Sequence, residues 1–321
     1  MPKPKVFVTR IIPEKGLTLV RDFCEADIWT QDMPPSREVL LQRLQGTEGV
    51  LSLLTDRMDG EAMDVSPKLR VISNMAVGVD NVDLAAATAR KIPVGNTPGA
   101  MTDATADMTW ALMMAAARRV VEAEKYVRDG KWKTWSPQLL LGADFAGATW
   151  GIIGFGRIGQ AVAKRAQGFG MNVVFYDNEA RPAHGATPVP LDELLQTSDF
   201  VSLHVPLTPS THHMINAETL SRMKPGTVLV NTSRGPVVDP DALYEVLKSN
   251  RLFAAGLDVT EPEPLPADHP LLELSNCIIV PHLGSASKRT RDLMAYLAAE
   301  NLIAGLKGER LRHCVNPEVY A

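Results

Sequence analysis

Three side chains with chemistry to offer each stand just behind a short apolar run. Arg234 ends the stretch Asn231-Thr232-Ser233-Arg234-Gly235 that follows the run Thr227 to Val230. Glu263 lies in the proline-stiffened stretch Asp258-Val-Thr-Glu261-Pro-Glu263-Pro behind Phe253 to Leu257, and His282 lies in Pro281-His282-Leu-Gly284 behind the run that begins at Asn276. If these runs are parallel strands, all three residues sit at carboxyl ends, where open α/β sheets place their ligands. An arginine followed by glycine can present its planar fork to a carboxylate. Imidazole titrates near neutrality and suits proton transfer, and a nearby carboxylate favours its protonated form. Taken singly, a salt bridge, a solvated loop and a core contact are commoner explanations for the three. Their shared position at strand ends favours a joint role.

A fourth feature says what the trio would act beside. Gly154-Phe155-Gly156-Arg157-Ile158-Gly159 follows the run Thr149 to Ile153 and precedes helical periodicity from Gln160 to Gln167. A GxGxxG is weak evidence alone, but between a strand and a helix it marks a dinucleotide site. Gly154 serves the tight turn, Gly156 lets the backbone approach a pyrophosphate, and Gly159 allows close helix packing. The helix N-terminus then offers N–H groups and a positive dipole end to the phosphates. The next run, Asn172 to Tyr176, ends in Asp177, eighteen residues past Gly159. A carboxylate there binds the ribose 2′-hydroxyl of NAD and repels the 2′-phosphate of NADP. NAD(H) is therefore favoured, while Arg181 nearby leaves NADP(H) open. A cation for a carboxylate, a proton donor and a hydride source are together what reduction of a 2-oxo acid requires.

The elements that must hold these groups are legible as alternating β-branched runs and helical segments, the mark of parallel sheets with helices on both faces. One series comprises Lys5 to Thr9, a weaker Ala26 to Thr30, Gly49 to Leu54, Arg70 to Asn74 and Ile92 to Asn96. A second series of six runs, TWGIIG, NVVFYD, FVSLHV, TVLVNT, FAAGLDV and NCIIVPH, is enough for a complete doubly wound sheet. Between them, Thr102 to about Asp129 lacks Gly and Pro and predicts one long helix, read as a spine joining two domains, with Thr102 or Asp103 as its N-cap. A second unbroken segment runs from Ser287 to about Leu306. If it returns the chain to the first domain, that domain is discontinuous.

Bulk properties agree with a soluble globular protein. The 321 residues suffice for about two domains, and a formal charge of -4 gives no field for nucleic acid or an anionic membrane. Cys24, Cys277 and Cys314 are odd in number and widely spaced, against a disulfide framework or a zinc cluster. With no signal-like or spanning segment, a cytoplasmic protein is expected. His212-His213 resembles a metal pair, but neighbours on a helix or strand do not face one point and no third ligand is evident, so no metal site is expected. Met113-Met114 reads as core filling, and the basic-aromatic stretch Gly130 to Trp135 as something other than a nucleic-acid loop.

Six segments carry a family resemblance: AVGVDNVD (76–83), NTPGAMTDATAD (96–107), GIIGFGRIGQAVAKR (151–165), VNTSRGPVVD (230–239), GLDVTEPEPLPADHPLL (256–272) and VPHLGSAS (280–287). In them the chain resembles the D-isomer-specific 2-hydroxyacid dehydrogenases, most of all the glyoxylate/hydroxypyruvate reductases. The resemblance implies an α/β protein of two doubly wound parallel-sheet domains. A Rossmann-type cofactor domain, 99–286, would be inserted in a flavodoxin-like substrate domain, 1–98 with 287–321. By the same matching, Arg234 binds and polarises the substrate, His282 donates the proton and Glu263 pairs with it. The backbone of Val77 and Gly78 receives the substrate carboxylate, and Leu54 lines the pocket. Thr105 and Asp258 fall at the nicotinamide side of the cofactor, Val205, Pro206 and Thr211 at the adenine side, and Thr232, Ser233 and Gly284 also bind the cofactor. A homodimer built around the long helix is implied, with Trp135 on its arm. NADPH-preferring reductases of this group usually carry a small and then a basic residue where this chain has Asp177-Asn178, so the subgroup and the cofactor point different ways. The expected activity is NAD(H)-dependent reduction of glyoxylate or hydroxypyruvate to the D-2-hydroxy acid. Alternatives are a dehydrogenase of the 2-ketogluconate, D-lactate or phosphoglycerate type, or a non-enzymatic NAD-sensing co-repressor.

Overall fold

Short apolar runs, buried on both faces, become the central strands of two all-parallel sheets. The computed structural model describes residues 2–179, 181–183 and 185–321. The chain divides into two compact units, Met1–Met101 with Ala286–Ala321, and Thr102–Ser285.

The first unit alternates β1 (Lys5–Val8), α1 (Glu14–Phe23), β2 (Glu25–Ile28), α2 (Arg37–Leu44), β3 (Gly49–Ser52), α3 (Gly60–Asp64), β4 (Val71–Asn74), α4 (Leu84–Ala89) and β5 (Val94–Gly95). Its sheet has the order β2-β1-β3-β4-β5, the flavodoxin-like arrangement. Because side chains alternate along a strand, Val6, Val8, Leu51 and Val71 face one layer while Phe7, Val50, Ile72 and Val94 face the other. Each such side chain contributes about 1.5–3 kcal/mol on burial.

The second unit contains α5 (Thr102–Ala117), α6 (Val120–Arg128), β6 (Thr149–Ile153), α7 (Arg157–Gly168), β7 (Asn172–Tyr176), β8 (Thr187–Pro188), α8 (Leu191–Thr197), β9 (Phe200–Leu203), α9 (Ala217–Arg222), β10 (Val228–Asn231), α10 (Pro240–Lys248), β11 (Ala254–Leu257) and β12 (Cys277–Ile279). Its order is β12-β11-β10-β9-β6-β7-β8. The chain leaves β6 toward β7 and later returns to the other side of β6 as β9, so the topological switch lies between β6 and β9. One face carries an aromatic core in which Trp110 and Trp150 lie 4.5 Å apart and Phe145 and Phe200 4.9 Å apart. The other face is aliphatic, built on Leu194, Leu203, Leu229, Leu243 and Leu257. The final helix, α11 (Lys288–Lys307), belongs to the first unit, and Ser287 caps it by accepting from the Thr290 N–H.

Three sequence expectations are corrected. The helix expected from Thr102 to Asp129 is two helices, because Arg119 takes a left-handed backbone (φ 53°). The Ala117 carbonyl that would continue the ladder instead accepts from the Ala143 N–H at 2.9 Å, and Arg119 pairs with Glu122. Both pieces lie in the second unit. Strand β8 went unread because it is two exposed residues, one of them proline. Met113 is buried as expected, but Met114 is 39% exposed.

Candidate active site

The glycine turn is shaped by what surrounds it. Gly154 has a φ of 92°, and a Cβ there would meet the His204 carbonyl carbon at 2.7 Å and the Val205 nitrogen at 2.8 Å. At Gly159 a Cβ would lie 2.2 Å from the Gly154 oxygen, which fixes how closely α7 approaches the turn. Gly156 is different, because its Cβ would meet nothing within 4 Å. It opens α7 without a side-chain cap, leaving the first N–H groups and the dipole end for an anion. A clear approach, free N–H groups and the position beside the switch point fit a dinucleotide pyrophosphate. Asp177 accepts from the Phe155 N–H at 2.7 Å and the Glu179 N–H at 3.0 Å. Arg181 lies 3.5 Å from Asp177 and 2.7 Å from Glu179.

Beyond β9, Val205 and Pro206 enter a loop closed by Thr211, whose hydroxyl donates to the Pro206 carbonyl at 2.6 Å and accepts from the Thr208 N–H at 2.8 Å. His204, just before them, was missed by sequence reasoning. Trp150 Nε1 donates to Ser202 Oγ at 2.9 Å, and the same oxygen lies 2.9 Å from His204 Nε2. The indole can only donate, so Ser202 Oγ is an acceptor toward Trp150 and joins the two rings through one oxygen. Burial pushes the His204 imidazole down to about 3. The residue as a whole keeps some surface, but Nδ1 is sealed from solvent and without a partner.

At the ends of β10, β11 and β12 the expected trio comes together. Buried Asn231 organises the first loop, its Oδ1 accepting from Ser233 N at 2.9 Å and Ser233 Oγ at 2.7 Å while its Nδ2 donates to the Arg234 carbonyl at 2.8 Å. Thr232 is tied to α5 by its hydroxyl, 2.8 Å from that of buried Thr109. A Cβ on Gly235 would stand 1.8 Å from the Thr260 carbonyl oxygen, so only glycine lets the Arg234 loop and the Glu263 loop pass. His282 Nδ1 lies 2.6 Å from Glu263 Oε1. Burial raises the Glu263 carboxyl, but the hydrogen bond and charge of His282, the Thr260 N–H and the Arg234 charge outweigh it and hold Glu263 below its ordinary value. An ionised Glu263 accepts the Nδ1 proton, which leaves Nε2 as the working nitrogen.

Asp258 is buried and sits behind this pair. Its carboxylate accepts from Leu283 N at 2.5 Å and Gly284 N at 2.8 Å, and its carbonyl accepts from His282 N at 3.0 Å. These bonds hold His282 in its left-handed conformation (φ 55°). Burial raises the Asp258 carboxyl, with the two N–H donors opposing. Thr105 donates to the Gly284 carbonyl at 3.2 Å, so Gly284 is bonded on both sides.

In the first unit, Leu54, Val77 and Gly78 follow β3 and β4. Asn74, buried, donates to the Gly78 carbonyl at 3.1 Å, Asn96 donates to the Val77 carbonyl at 2.8 Å, and Asn81 donates to the carbonyls of Leu53 and Asp56. This asparagine network was also missed, although Asn74, Asn81 and Asn96 lie in or beside the quoted segments. Leu54 is 43% exposed.

His212 and His213 do face one another, contrary to the expectation from adjacency. His213 is left-handed (φ 47°), which stacks the rings with centroids 4.1 Å apart, and Glu261 supplies a third group 2.6 Å from His213 Nε2. Trp132 and Trp135 are both well exposed. Among the described residues, all three cysteines are free thiols and no helix is long and apolar enough to cross a membrane.

Comparison with known proteins places this geometry. The family model described as D-isomer specific 2-hydroxyacid dehydrogenase, NAD binding domain, matches residues 110–284. A glyoxylate reductase of Korarchaeum cryptofilum is 53% identical over 322 residues, covering 99% of this chain and 97% of that protein. A solved structure from Thermus thermophilus has a TM-score of 0.93 at 50% identity, covering 97% of this chain and 99% of that one. An NADPH-dependent glyoxylate/hydroxypyruvate reductase from Sinorhizobium meliloti, solved with NADP and malonate, has a TM-score of 0.84 at 31% identity and covers 98% of each chain. The likeness runs along nearly the whole chain, and the chain belongs to the D-isomer-specific 2-hydroxyacid dehydrogenase family of NAD(P)-dependent oxidoreductases.

Proposed function

We propose that this protein reduces glyoxylate or hydroxypyruvate to the D-2-hydroxy acid, with NADH preferred over NADPH. The observation that carries the reading is the 2.6 Å pair between His282 Nδ1 and Glu263 beside Arg234. Bound nicotinamide supplies the hydride to the substrate's carbonyl carbon. Arg234 holds the substrate carboxylate and polarises the carbonyl. His282 gives its Nε2 proton to the carbonyl oxygen as the negative charge develops there, and Glu263, bonded to Nδ1, keeps the ring oriented. The glycine turn, Phe155, Arg157 and Ile158 hold the pyrophosphate side. Thr105, Thr232, Ser233, Asp258 and Gly284 frame the nicotinamide side, and Val205, Pro206 and Thr211 the adenine side.

Support for NADH comes from Asp177, whose carboxylate already orders the turn through Phe155 and would repel a 2′-phosphate. Arg181 is engaged by two acidic side chains and is a poor receptor for that phosphate. A steady-state panel of glyoxylate, hydroxypyruvate, pyruvate and 2-ketogluconate with each cofactor tests the reading. The two proposed substrates should give the highest kcat/KM, and preference for NADPH would overturn the Asp177 argument. His282→Ala should lower kcat by about 10²–10⁴-fold while cofactor affinity stays nearly constant; unchanged turnover would remove His282 from the mechanism.

A homodimer is proposed through α6 and the segment after it. No residue of α6 is buried, yet Val120, Val121 and Val127 are apolar, and Trp132 and Trp135 follow. Light scattering should give twice the chain mass for the wild type and the monomer mass for Val121→Glu with Val127→Glu. A monomeric wild type would refute the assignment.

A further inference from the structure

We infer that His212, His213 and Glu261 form a binding site for a divalent transition-metal ion of zinc's class, lying outside the proposed reaction centre. One ligand atom from each residue, two imidazole nitrogens and a carboxylate oxygen, lies within 4.8 Å of the others. Two neutral imidazoles and one carboxylate are a donor set suited to such an ion, with the fourth position left to water. At metal–ligand bonds of about 2.0–2.2 Å, a tetrahedral site needs its donors about 3.3–3.6 Å apart. The His213 to Glu261 contact, 2.6 Å, opens to reach that distance, and the His212 ring, which completes the group within 4.8 Å, is exposed.

The backbone holds the three groups in place before any ion arrives. His213 N donates to the Pro236 carbonyl at 2.8 Å, and its own carbonyl accepts from Asn216 Nδ2 at 3.0 Å. His212 N donates to the Thr208 carbonyl at 2.9 Å, so the turn that presents the pair is closed from both sides. Glu261 follows Thr260, whose hydroxyl donates to the Pro262 carbonyl at 2.8 Å and whose own carbonyl abuts Gly235. Preorganised donors on two separate loops lower the ordering cost of binding. The ion replaces one hydrogen bond between the loops with metal bonds to each.

The test uses the full-length chain without an affinity tag, titrated with Co²⁺ as a spectroscopic probe and then with Zn²⁺. One equivalent of Co²⁺ is expected to develop the intense visible bands of a four- or five-coordinate nitrogen and oxygen site, and Zn²⁺ is expected to abolish them. His212→Ala should bind Co²⁺ at least about tenfold more weakly while keeping its turnover, and Glu261→Gln should weaken binding similarly. Only the pale spectrum of octahedral cobalt, a thiolate charge-transfer band, or equal affinity in His212→Ala would overturn the site. The exposed position of His212 makes that variant informative even if Glu261→Gln does not fold. Neither outcome depends on which 2-oxo acid the enzyme reduces.

Discussion

His282 is positioned by three residues with separate tasks. Glu263 accepts a hydrogen bond from its Nδ1, Asp258 fixes its backbone, and Arg234 adds charge beside the pair. His204, by contrast, is an imidazole kept neutral in the same unit, and it yields a prediction of known sign. Its native value of about 3 lies below the ordinary 6.5, so between those two pH values the unfolded chain binds a proton that the folded one refuses. Stability therefore falls as pH drops from about 6.5 toward 3, and the contribution is flat above that window. Urea midpoints of wild type and His204→Gln between pH 7.5 and pH 4.5 should diverge in slope by about one proton. Parallel curves would show that His204 is not buried neutral. Comparing the two proteins cancels the opposing trend from Asp56 and Asp258, whose burial raises their carboxyls.

At the scale of elements, strand ends supply the chemistry and the close passage of loops sets its spacing. Gly235 is the tightest such passage described for the catalytic loops, with the Thr260 oxygen where a side chain would begin. Gly235→Ala must push the loop bearing Glu263 away from Arg234, a shift on the order of an ångström. We expect kcat/KM to fall by about 100-fold, with a stability loss of about 1–3 kcal/mol. Equal activity at reduced stability would mean that the two loops are not coupled through this point. The same close packing explains the break between α5 and α6, since a Cβ on Gly142 would stand 2.4 Å from the Ala117 oxygen. A helix is interrupted there by a segment arriving from elsewhere in the chain, so nothing within 102–129 announces it.

For the whole molecule, the consequence concerns connectivity. The first unit is completed only by α11, which packs on α1 so closely that a Cβ on Gly16 would meet the Ala295 oxygen at 2.2 Å, and on β4 so closely that one on Gly305 would meet Val71 at 2.5 Å. The second unit is continuous and has aromatic and aliphatic cores of its own. A fragment of residues 102–285 should unfold cooperatively in urea, whereas residues 1–101 should not, because the α11 side of their sheet would be bare. Adding residues 286–321 in trans should restore cooperative unfolding of the 1–101 fragment, and a cooperative 1–101 fragment by itself would refute this account.

Much of this was legible in the residues. The alternation of β-branched runs with helical segments, the glycine turn between a strand and a helix, and Arg234, Glu263 and His282 behind their strands all follow from local chemistry, because burial on both faces and turn geometry constrain neighbours in sequence. Strand order was not, because spacing does not say on which side of β6 a returning strand docks. Nor were Asn231, Thr109, the Asn74 network and the His204 relay, whose partners lie up to 123 residues away or follow only from the folded backbone. The left-handed turns at Arg119, His213 and His282 belong with them. Sequence by itself determined which groups are present and which strand each one follows. Only the tertiary structure decided which of them meet, since hydrogen bonding and close packing act over a few ångströms of space whatever the distance along the chain.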